Sequence, residues 1–107
     1  MKALSVKQPW AGLIASGRKT IETRTWQTQH RGDLLICSSA QPEGPDSGKA
    51  LCIVRVVDCR PMTKQDERAA CCHLYAGAWA WVLEGVRLID PVPVKGRLGL
   101  YELSGVR

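Results

Sequence analysis

The sequence holds 107 residues, one domain's worth, and a chain of that size buries about two-thirds of its unfolded surface without needing disulfide staples. Hydrophobic residues at 45% and charged residues at 23% exclude a disordered polar chain. Fifteen Lys and Arg stand against ten Asp and Glu, a net charge of +5, which tilts the reading toward anionic partners such as nucleic acid or nucleotides.

In chain order, residues 2–7 alternate apolar and polar and predict a strand. Pro9 suits a first helical position, and Trp10, Leu13, Ile14 and Gly17 recur at helical spacing. That predicts a short helix over 9–16, with Trp10 packed on its apolar face and Gly17 ending it. Residues 20–26 are β-branched and alternate, so Thr20, Glu22, Arg24 and Trp26 share one strand face. A turn at 30–33 leads to a strand over 34–38, and the Pro/Gly-rich stretch 41–49 predicts a surface loop. The apolar run 50–59 predicts a central strand covered on both faces. Thr63 with Asp66 predicts a capped helix reaching His73. Residues 79–83 alternate as a strand that continues or restarts over 85–89. Pro91 and Pro93 mark 90–96 as an edge or loop, and 99–103 predicts the last strand. Many short strands with two short helices make an α+β chain whose architecture is a small, mostly antiparallel β-barrel, one domain over 1–107.

The five cysteines, Cys37, Cys52, Cys59, Cys71 and Cys72, are odd in number, and no charged-then-apolar leader opens the sequence. No apolar stretch approaches the roughly 20 residues that span a bilayer. These features predict a cytoplasmic protein with free thiols and no membrane partner. Cys71-Cys72-His73 is a poor metal site, since adjacent helical side chains diverge, so neither a metal nor another cofactor is expected.

The segment 17–24 concentrates chemistry. It brings the Lys19 ammonium, the Glu22 carboxylate and the Arg24 guanidinium toward one helix end. Arg24 can clamp a phosphate or a base edge, Glu22 can accept from a base amino group or serve as a base, and Lys19 can bind an anion or serve as a base. The alternative is a solvated ladder of surface ion pairs. Trp26 follows on the same face and is the better stacking candidate, whereas Trp79 and Trp81 read first as core. The basic turn at 95–97 would make a positive groove if the barrel brought it beside Lys19 and Arg24.

Gln8-Pro9-Trp10-Ala11 and Gly17-Arg18-Lys19-Thr20-Ile21-Glu22-Thr23-Arg24-Thr25-Trp26 resemble the signature of the ASCH domain family, named for activating signal cointegrator 1 homology. His30-Arg31-Gly32-Asp33 and the segments 79–83 and 93–101 are similar to the family's later segments. The resemblance implies a PUA-like barrel with a cleft for RNA or nucleotide-like ligands, lined by Lys19, Glu22 and Arg24. Thr20, Trp26 and Arg31 complete the expected binding set, with single-stranded RNA as the expected ligand.

A branch of the same superfamily resembles amidohydrolases acting on N4-acetylcytidine, where a Lys, a Thr nucleophile and a later Glu carry catalysis. Here Glu22 stands where that Thr would be, Thr23 falls on the opposite strand face, and Glu67 and Glu84 compete for the later Glu. The alternatives to binding are therefore a small hydrolase using Lys19 and Glu22, on RNA or an acylated cytidine, and an interaction adaptor.

Overall fold

The computed structural model describes residues 1–105, so the last two positions of the expected domain lie outside the described residues. Six strands are arranged as β1 (Lys2–Val6), β2 (Ile21–Arg24), β3 (Gly32–Ser38), β4 (Lys49–Pro61), β5 (Trp79–Pro93) and β6 (Leu100–Glu102). Helix α1 (Trp10–Ala15) lies between β1 and β2, and a 3-10 turn at Lys64–Asp66 leads into α2 (Glu67–Ala70). The strands form one sheet in the order β2-β5-β4-β3-β1-β6. The pairing of β1 with β3 is parallel, and the other four are antiparallel.

The sheet curls because its two longest strands are repeatedly bulged. The β4–β5 register shifts between Ala50 and Cys52, between Ile53 and Arg55, and between Val56 and Asp58. A bulge bends its strand and increases local twist. Gly85 serves the middle one: it adopts φ 64, a left-handed conformation that other residues resist. The result is a half-barrel around a core of Leu4, Val6, Ile14, Leu34, Ile36, Val54 and Trp81. Burying each such side chain stabilises the fold by about 1.5–3 kcal/mol. Ala3, Leu35, Cys37, Ile53 and Tyr101 form a second cluster on the other face of β3 and β4. A third cluster, Ile21, Met62, Ala70, Ala78 and Ala80, seats α2 against β2 and β5. The central strand is thus covered on both faces, as the apolar run 50–59 predicts.

One element differs from expectation. The second helix ends at Ala70 rather than at His73, because Cys71 turns left-handed at φ 56. Its start is capped as the sequence predicts: the Thr63 amide and hydroxyl both donate to Asp66 Oδ2, at 2.8 and 3.2 Å. The segment with Pro91 and Pro93 is an edge, one of the two forms expected, and β5 runs through it to Pro93. It pairs with β4 alone, since β2 reaches only from Trp79 to Val82, so its outer side needs no amide donors.

All five cysteines are free thiols. Among the described residues, no helix is long and apolar enough to cross a membrane.

Candidate functional site

The site begins with the exit from α1. Gly17 adopts φ 84 and its amide donates to the Ile14 carbonyl at 3.0 Å, which ends the helix. The Lys19 amide then donates to Leu13 at 3.0 Å, and the Thr20 amide donates to Ala69 of α2 at 2.9 Å. Lys19 is thereby drawn between the two helices and is 2% exposed. Its ammonium donates to the Ala70 carbonyl and lies 3.5 Å from Glu22 Oε1. Glu22, 5% exposed, receives Arg24 on its other oxygen: Nη2 at 2.8 Å and Nε at 3.0 Å from Oε2. A solvated surface ladder is excluded, since two of these three charges are buried. Removing one partner would strand a buried charge, which is strongly destabilising.

Arg24 also donates from Nη2 to the Ser5 carbonyl at 2.9 Å. β2 and β1 are separated by three strands in the sheet, so this bond spans the open side of the half-barrel. Above it lies a cleft of about 550 Å³, a size typical of small-ligand sites. Its floor is Lys19, Glu22 and Arg24, and its cationic rim adds Lys7 and Arg97. Four cationic side chains therefore face one carboxylate. Trp10, Trp26 and Tyr75 supply aromatic walls. Trp26 is 36% exposed and is braced from behind by Trp81, with ring centroids 4.9 Å apart and planes at 86°. The Trp81 indole N–H also donates to the Trp26 carbonyl at 3.3 Å. This fixes one aromatic ring while leaving part of it open to the cleft.

Of the residues singled out in the sequence, Lys19, Glu22, Arg24 and Trp26 meet in this cleft. Thr20 does not: it is exposed and borders a separate small recess with Ile14 and Gly17. Arg31 also lies elsewhere, donating to the Thr28 and His30 carbonyls at 3.0 Å each. Thr23, expected on the far strand face, borders the cleft with Cys72, its hydroxyl 3.8 Å from the sulfur. Glu67 accepts from the Leu74 amide at 2.7 Å, which lowers its pKa, and Glu84 faces Arg55 at 3.4 Å. Neither borders the cleft.

Sequence reasoning misassigned Trp10, which is 38% exposed and lines the cleft rather than packing in the core. It also passed over Ser5 and Leu98 as site residues, and it grouped Tyr75 with Trp79 and Trp81 rather than with the cleft. The basic turn at 95–97 was the usable signal there, and Arg97 indeed reaches the rim. Among the described residues, no cluster of His, Cys, Asp and Glu is arranged to hold a metal ion.

Comparison with known proteins agrees with this architecture. The model of the ASCH domain family matches residues 4–93. Over 42 residues the chain is 50% identical to human activating signal cointegrator 1 and 45% identical to the mouse protein. Those matches span 39% of this chain and only 7% of either cointegrator. The crystal structure of ASCH from Zymomonas mobilis superposes with a TM-score of 0.74 over 97% of this chain and 87% of that one, at 16% identity. A single-substitution variant of the same Zymomonas protein superposes at 0.71 and 15% identity. At such identities the likeness concerns the fold.

Proposed function

The chain belongs to the ASCH domain family, and from that premise we propose that its cleft binds single-stranded RNA or a nucleotide-like ligand. The observation that carries this reading is the pairing, in one cleft, of the braced Trp26 ring with the buried Lys19–Glu22–Arg24 cluster. Single-stranded recognition rests on stacking an unpaired base on an aromatic ring and reading its polar edge. Trp26 offers the ring. Glu22 accepts an amino group, and Arg24 donates to a ring nitrogen or carbonyl. Lys7 and Arg97 on the rim attract phosphate.

Binding is favoured over catalysis by how the polar groups are already employed. Lys19 donates to the Ala70 carbonyl and faces Glu22, while both Glu22 oxygens meet cations. A general base has to turn toward the reacting proton, whereas Glu22 is pinned between two cations; its Oε1, which meets only Lys19, keeps a lone pair with which to accept from a base amino group. Groups tied into such a network instead make a rigid, preorganised recognition surface.

Fluorescence anisotropy with a labelled single-stranded RNA tests the proposal, comparing wild type with Trp26→Ala. Salt-sensitive binding of intact RNA that weakens in the variant supports it. RNA shortened by wild type, seen on a gel of the same sample after several hours, would instead favour a ribonuclease.

A further inference from the structure

Beside the cleft lies a second recess of about 320 Å³, and the two share Ser5, Ser39, Arg97 and Leu98 as a common wall. We propose that this recess is a subsite for the sugar-phosphate of a neighbouring nucleotide. The chain would then read a base within a strand rather than a free nucleoside. This rests on the reading of the main cleft as a base site.

The two cavities differ in chemistry. The cleft has three aromatic residues and one carboxylate. Among the described residues, the recess has no aromatic and no acidic side chain; it is lined by Ser5, Ser38 and Ser39 with Arg97. That composition suits a small anionic group with several acceptor oxygens and offers nothing for a base to stack on. Arg97 makes no ion pair among the described residues. Ser38 contributes an independent signal. It is 2% exposed and borders the recess, and its hydroxyl is a buried polar atom with no hydrogen-bond partner among the described residues. Buried polar groups in native proteins are nearly always satisfied, by protein, water or ligand.

The strap over the recess is held in place before any ligand arrives. The Val94 amide donates to the Gly48 carbonyl at 2.9 Å. Tyr101 joins Ser5 hydroxyl to hydroxyl at 2.7 Å. Gly96 lies so close that a side chain there would meet Ser5 Oγ at 3.0 Å. Leu98, 99% exposed at the shared wall, stands where a strand passing from one cavity to the other would cross.

Ala40 is exposed and borders the recess but not the cleft, so Ala40→Asp places a negative charge at the subsite alone. Leu88→Asp, at a 72% exposed position on β5, controls for the change in net charge. A dinucleoside monophosphate is expected to bind wild type about tenfold more tightly than the matching nucleoside, and Ala40→Asp to remove that gain. Inorganic phosphate added to the nucleoside should not reproduce it. Nucleoside affinity itself should be unchanged in Ala40→Asp. Equal behaviour of Ala40→Asp and Leu88→Asp, with Trp26→Ala still weakening RNA binding, overturns the subsite and leaves the base site standing. RNA binding indifferent to Trp26→Ala as well overturns both.

Discussion

Arg24 and Ser5 join two parts of the sheet that have no strand pairing between them. The Arg24 Nη2 donates to the Ser5 carbonyl at 2.9 Å, while the same guanidinium holds Glu22 at 2.8 Å. One side chain therefore closes the open side of the half-barrel and orders the floor of the cleft. Arg24→Ala should destabilise the fold by about 2–3 kcal/mol, because it leaves the buried Glu22 with Lys19 alone. Arg24→Lys should restore little of that, since an ammonium lacks the fork that serves both partners. Urea unfolding of the three proteins measures this; a lysine variant as stable as wild type would contradict it.

Acid stability should depend on Asp66. The Arg60 guanidinium, donating to both carboxylate oxygens at 2.7 and 2.9 Å, lowers its pKa to about 2, helped by the Thr63 amide. A carboxylate depressed on folding stabilises the native state above its unfolded pKa, and that contribution is lost as pH falls through the folded value. The loss should lie between about pH 4 and pH 2. Asp66→Asn should be less stable at neutral pH and should flatten the acid limb of a stability–pH curve. An unchanged acid limb would show that the Arg60 pair contributes nothing to it.

At the alkaline end the sign reverses. Burial pushes the Tyr101 hydroxyl and the Cys52 thiol each up to about 12, and raises Cys37 as well. Groups held neutral by folding contribute stability that is lost as pH rises from their unfolded values toward about 12. The same burial should hide two thiols. With a thiol-specific reagent near pH 8, Cys59, Cys71 and Cys72 should react in the native protein, and Cys37 and Cys52 only after denaturation. Rapid native labelling of all five would contradict the packing of β3 against β4.

Cleft substitutions should separate contributions to recognition. Trp26→Ala should weaken RNA binding by about 1–3 kcal/mol, the usual worth of one stacked base. Arg97→Ala should act differently, reducing the slope of log affinity against log salt by about 0.7, as the loss of one phosphate contact does for single strands. Titrations at several salt concentrations distinguish the two effects. A Trp26 variant that changes the slope and spares the affinity would reverse the assignment.

The sequence was most informative where local chemistry decides structure. Gly17 ending α1, the Thr63–Asp66 cap and the doubly covered β4 are all local or periodic signals, and each is realised. The grouping of Glu22, Arg24 and Trp26 follows from strand alternation and also survives. What escaped is set by curl. Trp10 carries an apolar helical pattern, yet the sheet leaves its ring at the cleft mouth instead of over the core. Thr20 shares the alternation of Glu22, but it precedes β2, where the chain is still tied to Ala69. Arg31 lies within the family-like turn but is spent on the carbonyls of Thr28 and His30. The bulges that curl β4 and β5 have no strong local signature except Gly85, so the cleft they create is legible only in three dimensions.

The most direct test of the account is anisotropy of a labelled single-stranded RNA with wild type and Trp26→Ala, at low and physiological salt. The account predicts binding by wild type that falls steeply with salt, and affinity about fivefold or more weaker in the variant. RNA that wild type fails to bind even at low salt, or binds equally in the variant, would contradict it.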